Sequence, residues 1–269
     1  DYAKQNGVLE TIINTNATNL DPKMSNKLID SGLDFLIYSF DGGTKETYEK
    51  MRPGRFGKNS FESVYGNILK FDEIKKKRNS KFPYTKIQMI LTEDTHKEKD
   101  QFFKIFNNFV DDVSVSQYTE RGGKLSDLDE DSQSKYYHLL LKHNLPRGTP
   151  YMKDVFGKIK LSGGRKPCEQ PFQRLLVTYE GKVAMCCYDW GASYPVGYTN
   201  AMAFNNDKDY EKVIDSVNKN KKGFELLKNI KISKNFNNPK KEVLNLKQIW
   251  YGNEIGKVRN LHISNKGEE

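Results

Sequence analysis

The chain has 269 residues, a formal charge of +9, 36% hydrophobic and 29% charged residues, and fifteen each of Phe and Tyr, enough to fill one large or two modest cores. No apolar run approaches the roughly eighteen residues that cross a bilayer and no charged-then-apolar leader opens the chain, so a cytoplasmic protein without a membrane span is expected. Lys and Arg are interspersed with Asp and Glu; the densest run, Lys75-Lys76-Lys77-Arg78, ends a predicted helix where cations favour the dipole. A solvated face is expected there, and no nucleic-acid partner.

From Thr11 to about Tyr118, short apolar runs alternate with amphipathic stretches, which predicts an α/β unit with a parallel sheet. Strands are expected over Thr11–Asn14, Phe35–Phe40, Lys86–Leu91 and Val113–Tyr118. The first helix has Asp21 as cap, Pro22 at its first position, Met24, Leu28 and Ile29 inward, and Gly32 past its end. A second starts at Ser60, with Phe61, Val64, Ile68 and Phe71 on one face. A third opens on Thr95-His96-Lys97-Glu98, read as a capping box, before Phe102, Phe103, Phe106 and Phe109, read as core. The division expected is 1–123 for this unit and 124–164 for a linker containing a helix over Gln133–His143. A second domain over 165–269 would hold helices near Tyr210–Val217 and over Leu246–Leu261.

The most informative segment is C-x12-G-x4-C-C, formed by Cys168, Gly181 and Cys186-Cys187. Leu175 to Tyr179 reads as a strand, Glu180-Gly181 as a turn whose glycine takes positive φ, and Lys182 to Cys187 as a strand returning toward Cys168. Three cysteines with a vicinal pair make a poor disulfide framework. Thiolates hold iron–sulfur clusters and structural zinc, usually with four protein ligands, so the three are an incomplete metal set in a reducing compartment. The alternative is small buried hydrophobes. Strand alternation puts Cys187 on the face opposite Cys186 unless a bulge intervenes, which ranks it third as a ligand. His96, His138, His143 and His262 show no mutual metal spacing.

Ligands of parallel α/β folds sit beyond the carboxyl ends of the strands. The candidates there are Asn14-Thr15-Asn16, Ser39-Phe40-Asp41-Gly42-Gly43 and Thr92-Glu93-Asp94. Ser39 and Asp41 alternate along a strand and could meet a ribose together; Asp41 also reads as a turn-forming Asp-Gly.

The order of these pieces, INTNATNL, KLIDSGLDFLIYSFDG, TYEKMRPG, SFESVYGNILKF, YTKIQMILTE and then the cysteine hairpin, resembles radical S-adenosylmethionine enzymes with a SPASM extension. Leu246-Lys247-Gln248-Ile249-Trp250 and Arg259-Asn260-Leu261-His262 resemble the stretch before that family's final cysteine cluster. The resemblance implies a partial (β/α) barrel, about strands 3 to 6, followed by a small auxiliary-cluster domain. It implies S-adenosylmethionine and [4Fe–4S] clusters as cofactors and a flavodoxin or ferredoxin as reductant. It places Ser39 on the ribose, Asn16 in the same pocket, Arg52 on the methionine carboxylate, Gln88 and Ile90 near adenine, Cys168, Cys186 and Cys187 as cluster ligands, and Asp189 where some members carry a catalytic base. Arg52 also reads as the cap of a short helix, Gln88 as an inward barrel residue, and Asp189 as a turn carboxylate.

Two departures accompany the resemblance. The C-x3-C-x2-C loop of the catalytic cluster and the closing C-x2-C are absent from these residues, which reads as a fragment of a longer enzyme. Peptide or protein modification is expected, with a sugar or carrier-bound small molecule as alternative substrates. A zinc-binding α/β interaction module and a cluster-free nucleotide-binding α/β enzyme are the other readings.

Overall fold

A computed structural model describes residues 1–53, 60–117, 151–153, 159–161, 168–187, 189, 192, 195–205 and 242–264. They fall into two compact units, one up to residue 117 and one from residue 151.

In the first unit, β-branched and aromatic runs form four parallel strands: β1 (Ile12–Thr15), β2 (Phe35–Ser39), β3 (Tyr84–Leu91) and β4 (Asp112–Gln117). Their spatial order is the chain order, β1-β2-β3-β4. Crossovers that always step in one direction put the connecting helices on the same face when they take the usual right hand, which is the progression of a (β/α) barrel and has no switch point. The helices are α1 (Tyr2–Gln5), α2 (Pro22–Asp30), α3 (Lys45–Met51), α4 (Phe61–Lys77) and α5 (Lys99–Phe106). Burial alternates accordingly: Leu36, Tyr38 and Phe40 from β2 and its end, and Ile87, Met89 and Leu91 from β3, pack with Val64, Ile68 and Phe71 of α4 and Phe102 and Phe106 of α5.

Helix boundaries follow the capping chemistry. Asp21 accepts a hydrogen bond from the Met24 amide at 2.6 Å, Pro22 opens α2, and Gly32 beyond its end has φ +72°. In the inward stripe of α2, Leu28 and Ile29 face the core as expected, while Ser25 takes the place of Met24, which is 42% exposed. In α4 the stripe Val64, Ile68, Phe71 continues to Lys75, which is buried and ion-paired to Asp111 at 2.5 Å. The basic run is therefore not wholly a solvated face, because helical periodicity carries its first lysine inward.

The expected capping box at Thr95 does not form. Thr95–Glu98 is a 3₁₀ turn whose Thr95 hydroxyl donates to the Ile90 carbonyl at 2.6 Å, and the Glu98 carboxylate is used elsewhere.

Tyr38 lies in the core edge-on to Phe71, and its hydroxyl has no hydrogen-bond partner among the described residues. Burial, with Asp72 and Asp111 nearby, pushes its ionisation well above the usual tyrosine range. Tyr38→Phe removes an unsatisfied polar atom while keeping the ring and is expected to stabilise the first unit by about 1 kcal/mol in urea unfolding; a loss of that size would mean that the hydroxyl has a partner.

In the second unit, β5 (Tyr151–Lys153) pairs antiparallel with β6 (Ile159–Leu161), placing strands in what the sequence suggests is linker. β7 (Leu176–Val177), β8 (Lys182–Ala184) and β9 (Pro195–Tyr198) form an antiparallel sheet in that order, β9 being unexpected. The expected last helix is two, Leu246–Trp250 and Asn253–Ile263, divided at Gly252. Ile249, Ile255 and Val258 close over Val183 and Val196. A β-carbon on Gly197 would lie 2.7 Å from Ile249, so the glycine lets helix and strand touch. The helices expected over Gln133–His143 and Tyr210–Val217 lie outside the described residues.

Candidate functional site

The sheet face turned away from the helices is apolar at its amino end, where Ile12, Phe35 and Tyr84 align, and mostly polar toward its carboxyl end. Parallel register sets Asn14, Ile37, Lys86 and Asp112 at one level and Ser39, Gln88 and Ser114 at the next, toward the carboxyl ends. Lys86 and Asp112 are ion-paired at 2.7 Å, and the Gln88 amide donates to the Ser116 hydroxyl. Ser39 is half-buried, and its hydroxyl makes no hydrogen bond among the described residues. The fold thus brings Ser39 and Gln88 side by side on neighbouring strands.

Asn16 lies just past β1. Its side-chain carbonyl accepts from the Thr18 amide at 3.1 Å and the Thr18 hydroxyl at 2.8 Å, and Ala17 takes φ +57°. This is an Asx turn that ends the strand, with the exposed Asn16 side chain at the strand-end rim.

Asp41 departs from the expectation that it meets a ribose beside Ser39. It is 6% exposed; one oxygen accepts from the Ile90 amide at 2.8 Å, and the other receives Arg52 through Nε at 2.8 Å and Nη2 at 2.7 Å. Asp41 is therefore a cross-link between the ends of β2 and β3. Arg52, at the C-cap of α3, is engaged on Asp41, which accounts for its position without the expected substrate carboxylate. A buried carboxylate held by an amide and a guanidinium is well satisfied, whereas either partner alone would be costly.

In the sequence Glu98 reads only as part of a capping box at the next helix. Its carboxylate accepts from the Gly43 amide at 2.7 Å, the Thr44 amide at 3.1 Å, the Thr44 hydroxyl at 2.8 Å and the Thr47 hydroxyl at 2.6 Å. It sits at the start of α3, where a helix dipole favours an anion. Burial alone would raise this carboxyl, but the bonds from Thr47, Thr44 and the Gly43 and Thr44 amides hold it below the ordinary Glu value. Asp111 is likewise lowered: burial opposes, and Lys75 and Thr85 outweigh it. Asp34 falls to about 2 through hydrogen bonds from Lys4 and Thr11.

All three folded-state values are depressed, so their stabilisation is present above the unfolded values and is lost as pH falls through the folded ones. The urea midpoint of the first unit is expected to be steady above about pH 5 and to fall between about pH 4.5 and pH 2. A flat acid limb would contradict these bonds.

In the second unit, Gly181 has φ +95°, and a β-carbon there would lie 2.7 Å from that of Asn200. The turn is closed by the Gly181 amide on the Thr178 carbonyl at 2.9 Å. Cys168, Cys186 and Cys187 are each half-buried. β8 ends at Ala184, so Cys186 and Cys187 occupy a turn and strand alternation does not separate them. The Asp189 amide closes that turn on the Cys186 carbonyl at 3.2 Å, and the Asp189 carbonyl accepts from Ala192 at 2.9 Å. Cys187 lies against the segment after Cys168, its thiol 3.6 Å from the Gln170 side-chain oxygen. The cysteine ranked last thus meets the Cys168 side of the hairpin.

Arg259 ties the last helix to that segment. Its Nε donates to the Pro171 carbonyl at 3.0 Å, its Nη1 donates to the Trp250 carbonyl at 2.7 Å, and its guanidinium lies 4.2 Å from the Trp250 ring centroid. Its Nη2 is buried without a hydrogen-bond partner among the described residues.

No family model and no curated protein matches the chain. Solved structures are similar in part, two of SuiB among them. SuiB of Streptococcus suis bound to the precursor peptide SuiA aligns at 14% identity with a TM-score of 0.44, covering 76% of this chain and 49% of that one. SuiB bound to S-adenosylmethionine aligns at 15% identity and 0.43, covering 76% and 47%. The chain spans about half the length of those proteins.

The residues present meet the two cofactors unequally. Ser39 and Gln88 offer a neutral hydroxyl and a side-chain amide, groups of the kind that hydrogen-bond ribose hydroxyls and a base edge. For an iron–sulfur cluster the donor set is incomplete: among the described residues, no three Cys, His, Asp or Glu side chains group so as to hold a metal. No helix among them is long and apolar enough to cross a membrane.

Proposed function

We propose that the first unit carries the nucleoside-binding strand ends of a radical S-adenosylmethionine enzyme that modifies a peptide or protein. The observation supporting this most is the mostly polar carboxyl end of the open face of a one-directional parallel sheet, where Ser39 and Gln88 are adjacent. It carries the motif order from Asn14-Thr15-Asn16 through Ser39 to Gln88 on which the resemblance rests. S-adenosylmethionine, when bound, supplies the 5′-deoxyadenosyl group through which such enzymes abstract hydrogen. In this reading the Ser39 hydroxyl hydrogen-bonds the ribose, Gln88 and Ile90 border the adenine, and Asn16 lines the rim. Asp41 and Arg52 hold the loop that follows Ser39 and do not themselves bind ligand. The cysteine hairpin belongs to the auxiliary domain of such an enzyme, and the peptide is the expected substrate class.

Reading the coding sequence on both sides of this chain tests the assignment. C-x3-C-x2-C upstream and C-x2-C downstream in the same frame are the expected result. Their absence from the complete gene would overturn the radical reading.

A further inference from the structure

Glu98 lies at a distance in sequence from everything it organises, and its contacts form one chain of restraint. Its carboxylate holds Gly43, Thr44 and Thr47 and so fixes the start of α3. The other end of α3 carries Arg52, which holds Asp41, which in turn receives the Ile90 amide of β3. The backbone is tight as well: a β-carbon on Gly43 would lie 2.8 Å from the Glu98 carbonyl oxygen. The segment after β3 thereby clamps the loop after β2, and the two strand ends so joined carry Ser39 and Gln88.

We propose that Glu98 is a positioning residue, an internal anion at the start of α3 that keeps the ends of β2 and β3 in register through the Arg52–Asp41 pair. Its effect on ligand affinity rests on the nucleoside reading above; its effect on strand-end order does not. Four donors converge on one carboxylate, the Gly43 and Thr44 amides on Oε2 and the Thr44 and Thr47 hydroxyls on Oε1, so a neutral isostere replaces it only in part: Gln keeps one oxygen for the amides, turns an N–H₂ group toward hydroxyls that must reverse to accept, and loses the charge.

The test uses the full chain as E98Q, with D94N as a control that removes a neighbouring exposed charge paired to Lys50. Amide exchange at Ile90, which bonds Asp41 and not Glu98, is the decisive readout because a purely local role would leave it alone. In E98Q it is expected to exchange about tenfold faster, with D94N unchanged. Increased exchange limited to Gly43 and Thr44, with Ile90 as protected as in the parent, overturns the proposal. S-adenosylmethionine binding is measured on the same proteins together with Ser39→Val. Weaker binding by both E98Q and Ser39→Val supports the full proposal; weaker binding by Ser39→Val alone overturns the ligand-positioning role. If neither substitution changes binding while Ile90 is deprotected in E98Q, the nucleoside reading fails and the clamp stands.

Discussion

Asp41→Ala is expected to destabilise the first unit by about 3 kcal/mol and to open the end of β3. The substitution removes three contacts at once: the acceptor for the Ile90 amide and the partner of both Arg52 nitrogens. Breaking a buried ion pair from one side costs about 3–5 kcal/mol because the remaining charge is uncompensated, and the Arg52 side chain, at 22% exposed, recovers some of this by hydration. Asp41→Asn retains an acceptor for Ile90 and forfeits the charge, so about half the loss is expected. Urea unfolding monitored with amide exchange at Ile90 separates the two variants. Equal and small effects from both would show that the pair is a surface contact.

Gly42→Ala is expected to be comparably damaging for a different reason. Gly42 has φ +148°, and a β-carbon would lie 2.6 Å from the Tyr48 backbone nitrogen and 2.9 Å from its α-carbon. Backbone cannot rotate aside as a side-chain tip can, so the start of α3 must move, at a cost of about 3 kcal/mol. Gly66, within α4, has nothing within 4 Å of its ideal β-carbon, so Gly66→Ala should stabilise by up to about 1 kcal/mol through helix propensity. Similar unfolding midpoints for the two alanine variants would contradict the close approach at Gly42.

The parallel sheet was legible because its signal is local. The runs around Ile12, Phe35, Ile87 and Val113 alternate in the period that strands require, and Asp21, Pro22 and Ser60 mark helix starts by side-chain chemistry. The glycine turn at Gly181 was legible for the same reason. Glu98 was misassigned because Thr-x-x-Glu satisfies the local rule for a capping box, whereas its carboxylate is taken by donors more than fifty positions away in sequence. The Asp41 cross-link was likewise not legible: alternation beyond Ser39 assumes that the strand continues, but β2 ends there and Asp41 turns into the Arg52 pair. β9 was missed because Pro195 and Gly197 are poor strand formers; pairing with β8 and the fit of Ile249 over Gly197 override that propensity. For the cysteines, spacing identified the hairpin, and the early end of β8 at Ala184 brought Cys187 toward Gln170.

The central claim is that the open strand ends around Ser39 and Gln88 bind the nucleoside of S-adenosylmethionine. Isothermal titration of S-adenosylmethionine into the full-length gene product, compared with its Ser39→Val and Gln88→Leu variants, addresses it most directly. Each substitution removes hydrogen-bonding capacity from the open face while leaving the helix-side core intact, and each is expected to weaken binding about tenfold or more. Affinity unchanged in both variants, with the fold intact, would contradict the account and place any nucleoside elsewhere.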